Sequence, residues 1–156
     1  MPTKTLNRES LLAAVKGIYE SQMPFNRLLG IAVAALDLDD VRVRVDMKEA
    51  FVGNHVKSIL HGGVISSVLD STGGLIALVG VLKTLEKPTV EDVRAHFSRV
   101  GTIDLRVDYL RAGQGDYFLS TGVILRMGRK VAVIRTEFRN DRDMLIAAGT
   151  GSYIVW

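Results

Sequence analysis

Apolar positions recur with a helical period over residues 8–23, at Leu11, Leu12, Val15, Ile18, Tyr19 and Met23, with Asn7 as a cap and Pro24 as the stop. Phe25, Leu28 and Leu29 then predict a short apolar turn ahead of Gly30. Residues 31–38 read as a strand and 41–47 as its hairpin partner across Asp39-Asp40. Val41, Val43 and Val45 alternate there with Arg42, Arg44 and Asp46, the period of a strand with one buried and one wet face. Residues 48–60 carry only weak periodicity and read as a loop. From about residue 62 to about 85 the chain is apolar on nearly every side of a helix. Pro88 breaks that run, and Thr89 caps a second, shorter helix over 90–100 with Glu91, Asp92, Arg94 and Arg99 on its wet side. Four strands follow, over 102–110, 117–126, 130–139 and 144–156, separated by turn-forming segments at 111–116, 128–129 and 140–143.

A helix that is apolar nearly all round must be covered all round. An antiparallel sheet curled about it does this, so the pattern predicts an α+β fold with an antiparallel β-sheet wrapped around a long central α-helix. A length of 156 residues favours a single domain with a real core, here taken as 1–156. It has an N-terminal helix at about 8–23 and a helical insertion at about 83–101.

Composition narrows the chemistry. The chain has no cysteine, which excludes disulfides, zinc–thiolate sites and a cysteine nucleophile, and fits a reducing, cytoplasmic setting. A net charge of +3 without a clustered basic stripe, and only 6% aromatic residues, argue against nucleic acid as a partner. The stretch 62–82 is long enough to raise a membrane span. Asp70, three serines, Thr72 and five glycines dilute it, so the expectation is a buried core helix and no membrane insertion.

Asp70 is the one charged residue between Gly62 and Leu82. A buried charge is costly unless something satisfies it or uses it. Ser66, Ser67 or Ser71 could satisfy it within its own helix. His61-Gly62-Gly63 sits where that helix should begin, where backbone N–H groups are unpaired and the dipole is positive. Glycine there serves a tight turn, or lets a ligand oxygen approach the backbone as in an oxyanion hole. Asp70 lies eight residues beyond Gly62, roughly 12 Å along a helix axis. A nucleophile must come within ~3–3.5 Å of the carbon it attacks, so the two cannot share one carbonyl within one chain. Two such helices, antiparallel and side by side, would bring Asp70 of one copy near Gly62 of the other. There is no Gly-x-Ser-x-Gly elbow, phosphate loop or dinucleotide fingerprint. His55, His61 and His96 do not form a metal-ligand pattern, so neither a metal nor another cofactor is expected.

The stretch His61-Gly62-Gly63 with Asp70 nine residues after the histidine resembles the hotdog-fold acyl-CoA thioesterases of the phenylacetate-pathway and 4-hydroxybenzoyl-CoA type. The strand 102–111 and the ending Ala148-Gly149-Thr150-Gly151-Ser152-Tyr153 resemble that family's post-helix and closing strands. The resemblance runs from about Phe25 onward. It implies an acyl-CoA substrate hydrolysed to free acid and coenzyme A in a homodimer or dimer of dimers. Asp70 matches the catalytic carboxylate, as nucleophile or as the base that activates water. The N–H of Gly62 matches the oxyanion donor, with Gly63 beside it on the substrate. His61 matches a residue orienting the thioester or an upstream amide, and Thr102 a hydroxyl that places the water. Arg111 and the turn Gly128-Arg129-Lys130 match contacts for the coenzyme A phosphates. The family's asparagine often lies six residues before the histidine; that position holds His55 here, and Asn54 lies seven before, so both are candidates. The alternative is a non-catalytic acyl-CoA or lipid-binding module on the same fold. A dehydratase-type enzyme ranks below both, because it pairs histidine and carboxylate in a different pattern.

Overall fold

The structure, a computed structural model, describes residues 5–156. Its first elements are helix α1 (Arg8–Gly17), a π-helical turn (Ile18–Gln22) and helix α2 (Pro24–Leu29). Asn7 caps α1 by accepting the Ser10 N–H. The expected single helix over 8–23 is thus an α-helix that widens into a π turn. Pro24 also does more than stop it. With its φ preset and no N–H to lose, it occupies the first turn of α2. Gly30 closes α2 in the left-handed conformation, at φ 69°.

Strands β1 (Ala32–Leu36) and β2 (Val41–Asp46) form the expected hairpin, with Val41, Val43 and Val45 buried and Arg42 and Asp46 exposed. The segment read as a loop holds a 3-10 turn (Glu49–Phe51) and a ribbon of β3 (Val52–Asn54) and β4 (Ile59–Leu60). Strands of two and three residues are too short to show a period. Helix α3 (Gly62–Leu82) and helix α4 (Val90–Arg99) come next. Then β5 (Gly101–Tyr109), β6 (Tyr117–Met127), β7 (Val131–Asn140) and β8 (Leu145–Ile154) complete the chain.

Six strands form one antiparallel sheet in the order β1-β2-β6-β7-β8-β5. Helix α3 lies across it and packs on β2, β6, β7, β8 and β5. It buries Ile65, Val68, Leu69, Leu75, Ile76, Leu78, Val79 and Leu82. At about 1.5–3 kcal/mol for each large aliphatic side chain, this is the dominant favourable term in the fold. Although long and apolar enough to cross a membrane, α3 is here the core of a curled sheet. Phe118 and Phe138 stack beneath it with ring centroids 5.2 Å apart. Bulges bend the sheet in β1, β6, β7–β8 and β5. The β5 bulge falls between Thr102 and Asp104, and β5 is an edge strand.

Candidate active site

The start of α3 is fixed by its cap. His61 is the N-cap residue, and its Nδ1 accepts the Gly63 N–H at 2.8 Å. The neutral ring therefore carries its proton on Nε2. The His61 N–H donates to the Phe51 carbonyl at 2.7 Å, tying the helix start to the turn before β3. A side chain on Gly53 would strike His61, and one on Gly63 would strike the His61 ring. The Tyr109 hydroxyl donates to the Gly62 carbonyl at 3.0 Å. The N–H of Gly62 has no hydrogen-bond partner among the described residues. A free donor at a positive helix terminus suits an oxyanion.

Two turns further along, Asp70 is half-buried. None of the nearby serines satisfies it. Ser66 and Ser67 donate to the Gly63 carbonyl, and Ser71 donates to Asn26 Oδ1. Thr102 does bond it: its Oγ1 donates to Asp70 Oδ1 at 2.8 Å. The β5 bulge sets Thr102 opposite Tyr153 while Ile103 is the extra residue, and this aims Thr102 at α3. The Tyr153 hydroxyl donates to the Asp70 carbonyl at 3.3 Å. Burial pushes the Tyr153 phenol up from its ordinary range, and the Asp70 charge pushes it further the same way.

Asp70 opens onto a pocket of about 240 Å³. One face of α3 (Ser67, Asp70, Ser71, Gly74, Leu75, Leu78) forms its floor, at the i, i+3, i+4 spacing of a helical stripe. Tyr19, Met23 and Asn26 close one side, and Phe97 and Val100 the other. Tyr19 and Asn26 are almost wholly buried. The single O–H of Ser71 goes to Asn26 Oδ1 at 3.0 Å, so the Tyr19 hydroxyl donates to Ser71 Oγ at 2.8 Å. Asn26 Nδ2 donates back to the Tyr19 carbonyl at 3.0 Å. Burial is the main cause that raises the Tyr19 phenol.

The remaining candidates from the sequence lie apart from this pocket. Asn54 Oδ1 accepts the Lys57 N–H in a local turn, and His55 is exposed beside it. Arg111, just past the end of β5, donates to the Leu145 carbonyl at 3.0 Å, towards the Gly62 end of α3. Gly128, Arg129 and Lys130 turn β6 into β7 beside Val81 and Thr84, at the opposite end of α3. Lys130 Nζ sits 5.1 Å from the Trp156 ring centroid. Within one chain, then, Asp70 and Thr102 come together, His61, Gly62 and Gly63 form a second group, and the basic positions stand at two ends of α3. Among the described residues no group of three or more His, Asp or Glu side chains is arranged to hold a metal ion. Tyr19, Asn26, Phe97 and Tyr153 were missed as site residues. The one sequence signal for them is a polar Asn26 within the apolar run Phe25–Leu29.

A family model described as the thioesterase superfamily matches residues 57–147, from the β3–β4 ribbon into β8. The chain is 41% identical over 150 residues to the medium/long-chain acyl-CoA thioesterase YigI of Escherichia coli, covering 96% of this chain and 97% of that one. Among solved structures, a Shewanella oneidensis protein related to the thioesterase superfamily superposes with a TM-score of 0.90 at 40% identity, covering 96% of this chain and 97% of that one. A thioesterase from Haemophilus influenzae has a TM-score of 0.72 at 19% identity, over 99% of this chain and 93% of that one, a likeness of fold.

Proposed function

The chain belongs to the thioesterase superfamily, and from that premise we propose that it hydrolyses acyl-CoA thioesters to a free acid and coenzyme A, with Asp70 as the catalytic carboxylate. One observation carries the reading: a carboxylate whose Oδ1 is held by the Thr102 hydroxyl lines a mostly apolar pocket. Asp70 takes a proton from water through its other oxygen as the water oxygen bonds to the thioester carbon. The carbonyl oxygen becomes an oxyanion and is held by the free Gly62 N–H. The C–S bond then breaks, and the proton passes from Asp70 to the departing thiolate.

Gly62 and Asp70 are eight residues apart on one continuous α-helix, roughly 12 Å by rise. We assign the two roles to different copies of the chain, so that each site in a homodimer takes Asp70 and Thr102 from one protomer and Gly62 from its partner. The unpaired outer edge of β5, with Ile103 and Tyr109 exposed along it, supports pairing between copies. The partner's arrival would also bring a second set of basic turns to the site. Arg111, Arg129 and Lys130 are the positions proposed for coenzyme A phosphates on that ground. The medium/long-chain acyl-CoA thioesterase among the relatives supports an acyl group of that class.

A thiol-release assay on a series of acyl-CoAs tests the reading, with the wild type beside Asp70→Asn. Release of coenzyme A by the wild type and a loss of about 100-fold or more in the variant is expected. Tight acyl-CoA binding without release would instead identify a binding module.

A further inference from the structure

The face of α3 that floors the pocket has small side chains where it must leave room. Ser67, Ser71 and Gly74 follow one another at helical spacing, and Leu75 and Leu78 close the far end. From Asp70 to Leu78 is eight residues, roughly 12 Å by rise, and Gly74 stands about halfway. A Cβ on Gly74 would lie 3.9 Å from the Tyr153 ring and 4.0 Å from Val100, both pocket walls, so the space above Gly74 is the pocket itself.

Phe97 and Val100 form the wall facing it. Phe97 belongs to α4 and Val100 caps its C-terminal end, and α4 is anchored at its start. Thr89 and Asp92 make a reciprocal capping box, the Leu6 N–H donates to the Pro88 carbonyl at 2.7 Å, and Thr5 bridges Thr89. This wall is thus held in place and is not a free flap.

The polar wall is already satisfied. Tyr19 gives its hydrogen to Ser71, Ser71 to Asn26, Asn26 to the Tyr19 carbonyl and Met23 Sδ, and Ser67 to the Gly63 carbonyl. These bonds tie the side chains of that wall to one another and fix its shape along the pocket.

We infer that the acyl chain lies along this face of α3, running from Asp70 past Gly74 to Leu78, and that Gly74 and the facing Phe97 decide which chain lengths the pocket takes. This rests on the acyl-CoA thioesterase reading and adds to it the residues that choose the substrate. With C–C bonds of ~1.5 Å, an extended alkyl chain advances about 1.3 Å per carbon, so a groove of about 12 Å takes on the order of nine carbons beyond the carbonyl.

The test is kcat/KM for saturated acyl-CoAs from acetyl to palmitoyl, with wild type, Gly74→Met, Gly74→Ala and Phe97→Ala. Gly74→Met is expected to lower the ratio of decanoyl-CoA to butyryl-CoA kcat/KM about tenfold or more. Gly74→Ala, which adds one methyl at ordinary van der Waals contact with Tyr153 and Val100 and favours the helix, is expected to move the profile the same way by less. This second variant keeps the test decisive if methionine disturbs folding. Phe97→Ala is expected to raise the longest chains relative to decanoyl. A chain-length profile identical in wild type and both Gly74 variants, with hydrolysis intact, would overturn the inference and leave the thioesterase reading standing. A wild type that releases coenzyme A from no member of the series would overturn both readings together.

Discussion

Thr102 Oγ1 donates a 2.8 Å hydrogen bond to Asp70 Oδ1 across 32 residues of sequence. The contact joins the bulged end of an edge strand to the middle of the central helix. It leaves the carboxylate with one oxygen held and one open. A hydrogen bond to a charged group contributes about 1.5–3 kcal/mol. Thr102→Val, which keeps the shape and removes the donor, should lower kcat by about 10- to 100-fold with little change in melting temperature. Thr102→Ser should restore most of it. Steady-state kinetics on the preferred acyl-CoA checks this. A Thr102→Val enzyme at wild-type kcat would mean that the hydroxyl does not position Asp70.

His61 acts on the helix start through its ring. Its Nδ1 takes the Gly63 N–H, leaving the Gly62 N–H as the free donor of that turn. His61→Ala should destabilise the chain by about 1 kcal/mol through the lost cap. It should also slow hydrolysis by loosening the Gly62 N–H. Asparagine is a strong capping residue, so His61→Asn should recover the stability and most of the rate. Chemical denaturation and kcat measured on the same samples separate the roles. Recovered stability with no recovery of rate would instead give the imidazole a direct contact with the substrate.

Gly73 and Gly74 are neighbours in α3 with opposite surroundings. A Cβ on Gly73 would fall 2.1 Å from the Tyr153 hydroxyl, inside the buried contact between α3 and β8. Gly73→Ala must displace Tyr153, and through it the bond to the Asp70 carbonyl. Overpacking of this kind costs about 1–3 kcal/mol. That exceeds the gain of up to ~1 kcal/mol from a better helix former. The melting temperature should fall by about 2–4 °C per kcal/mol of net loss, whereas Gly74→Ala should hold or raise it. Thermal melts of the two variants side by side decide it, and equal midpoints would contradict the close packing of Tyr153 on α3.

Stability should decline in alkali through the two buried tyrosines. Burial raises both phenols above their ordinary value, with the Asp70 charge acting in the same direction. In the unfolded chain each ionises near ~10. There the unfolded state binds fewer protons than the folded one, so stability falls as pH rises. The contribution is complete below about pH 10 and is lost above it. Denaturation midpoints from about pH 8 to about pH 11 should show the decline, and Tyr153→Phe should flatten part of it. An unchanged slope in that variant would remove Tyr153 as a source.

Local pattern was enough for much of this protein. The alternation Val41-Arg42-Val43-Arg44-Val45 sets a strand because neighbouring side chains point to opposite faces. An apolar run from Gly62 onward has to be a helix covered on all sides, and that forces a curled sheet. The eight-residue gap from Gly62 to Asp70 was also legible, since a helix converts sequence spacing directly into distance. Tertiary structure alone decided who stands beside Asp70. Its nearest serines in sequence bond elsewhere, and its partner Thr102 comes from a strand beyond a second helix. The β3–β4 ribbon and the restart of the chain as α2 after Pro24 were too short to show a period. Tyr19, Asn26 and Phe97 carry no mark of their place either. They meet on one pocket because the π turn, α2 and α4 each bring a side chain to the same face of α3, and a pocket wall belongs to no single stretch of chain.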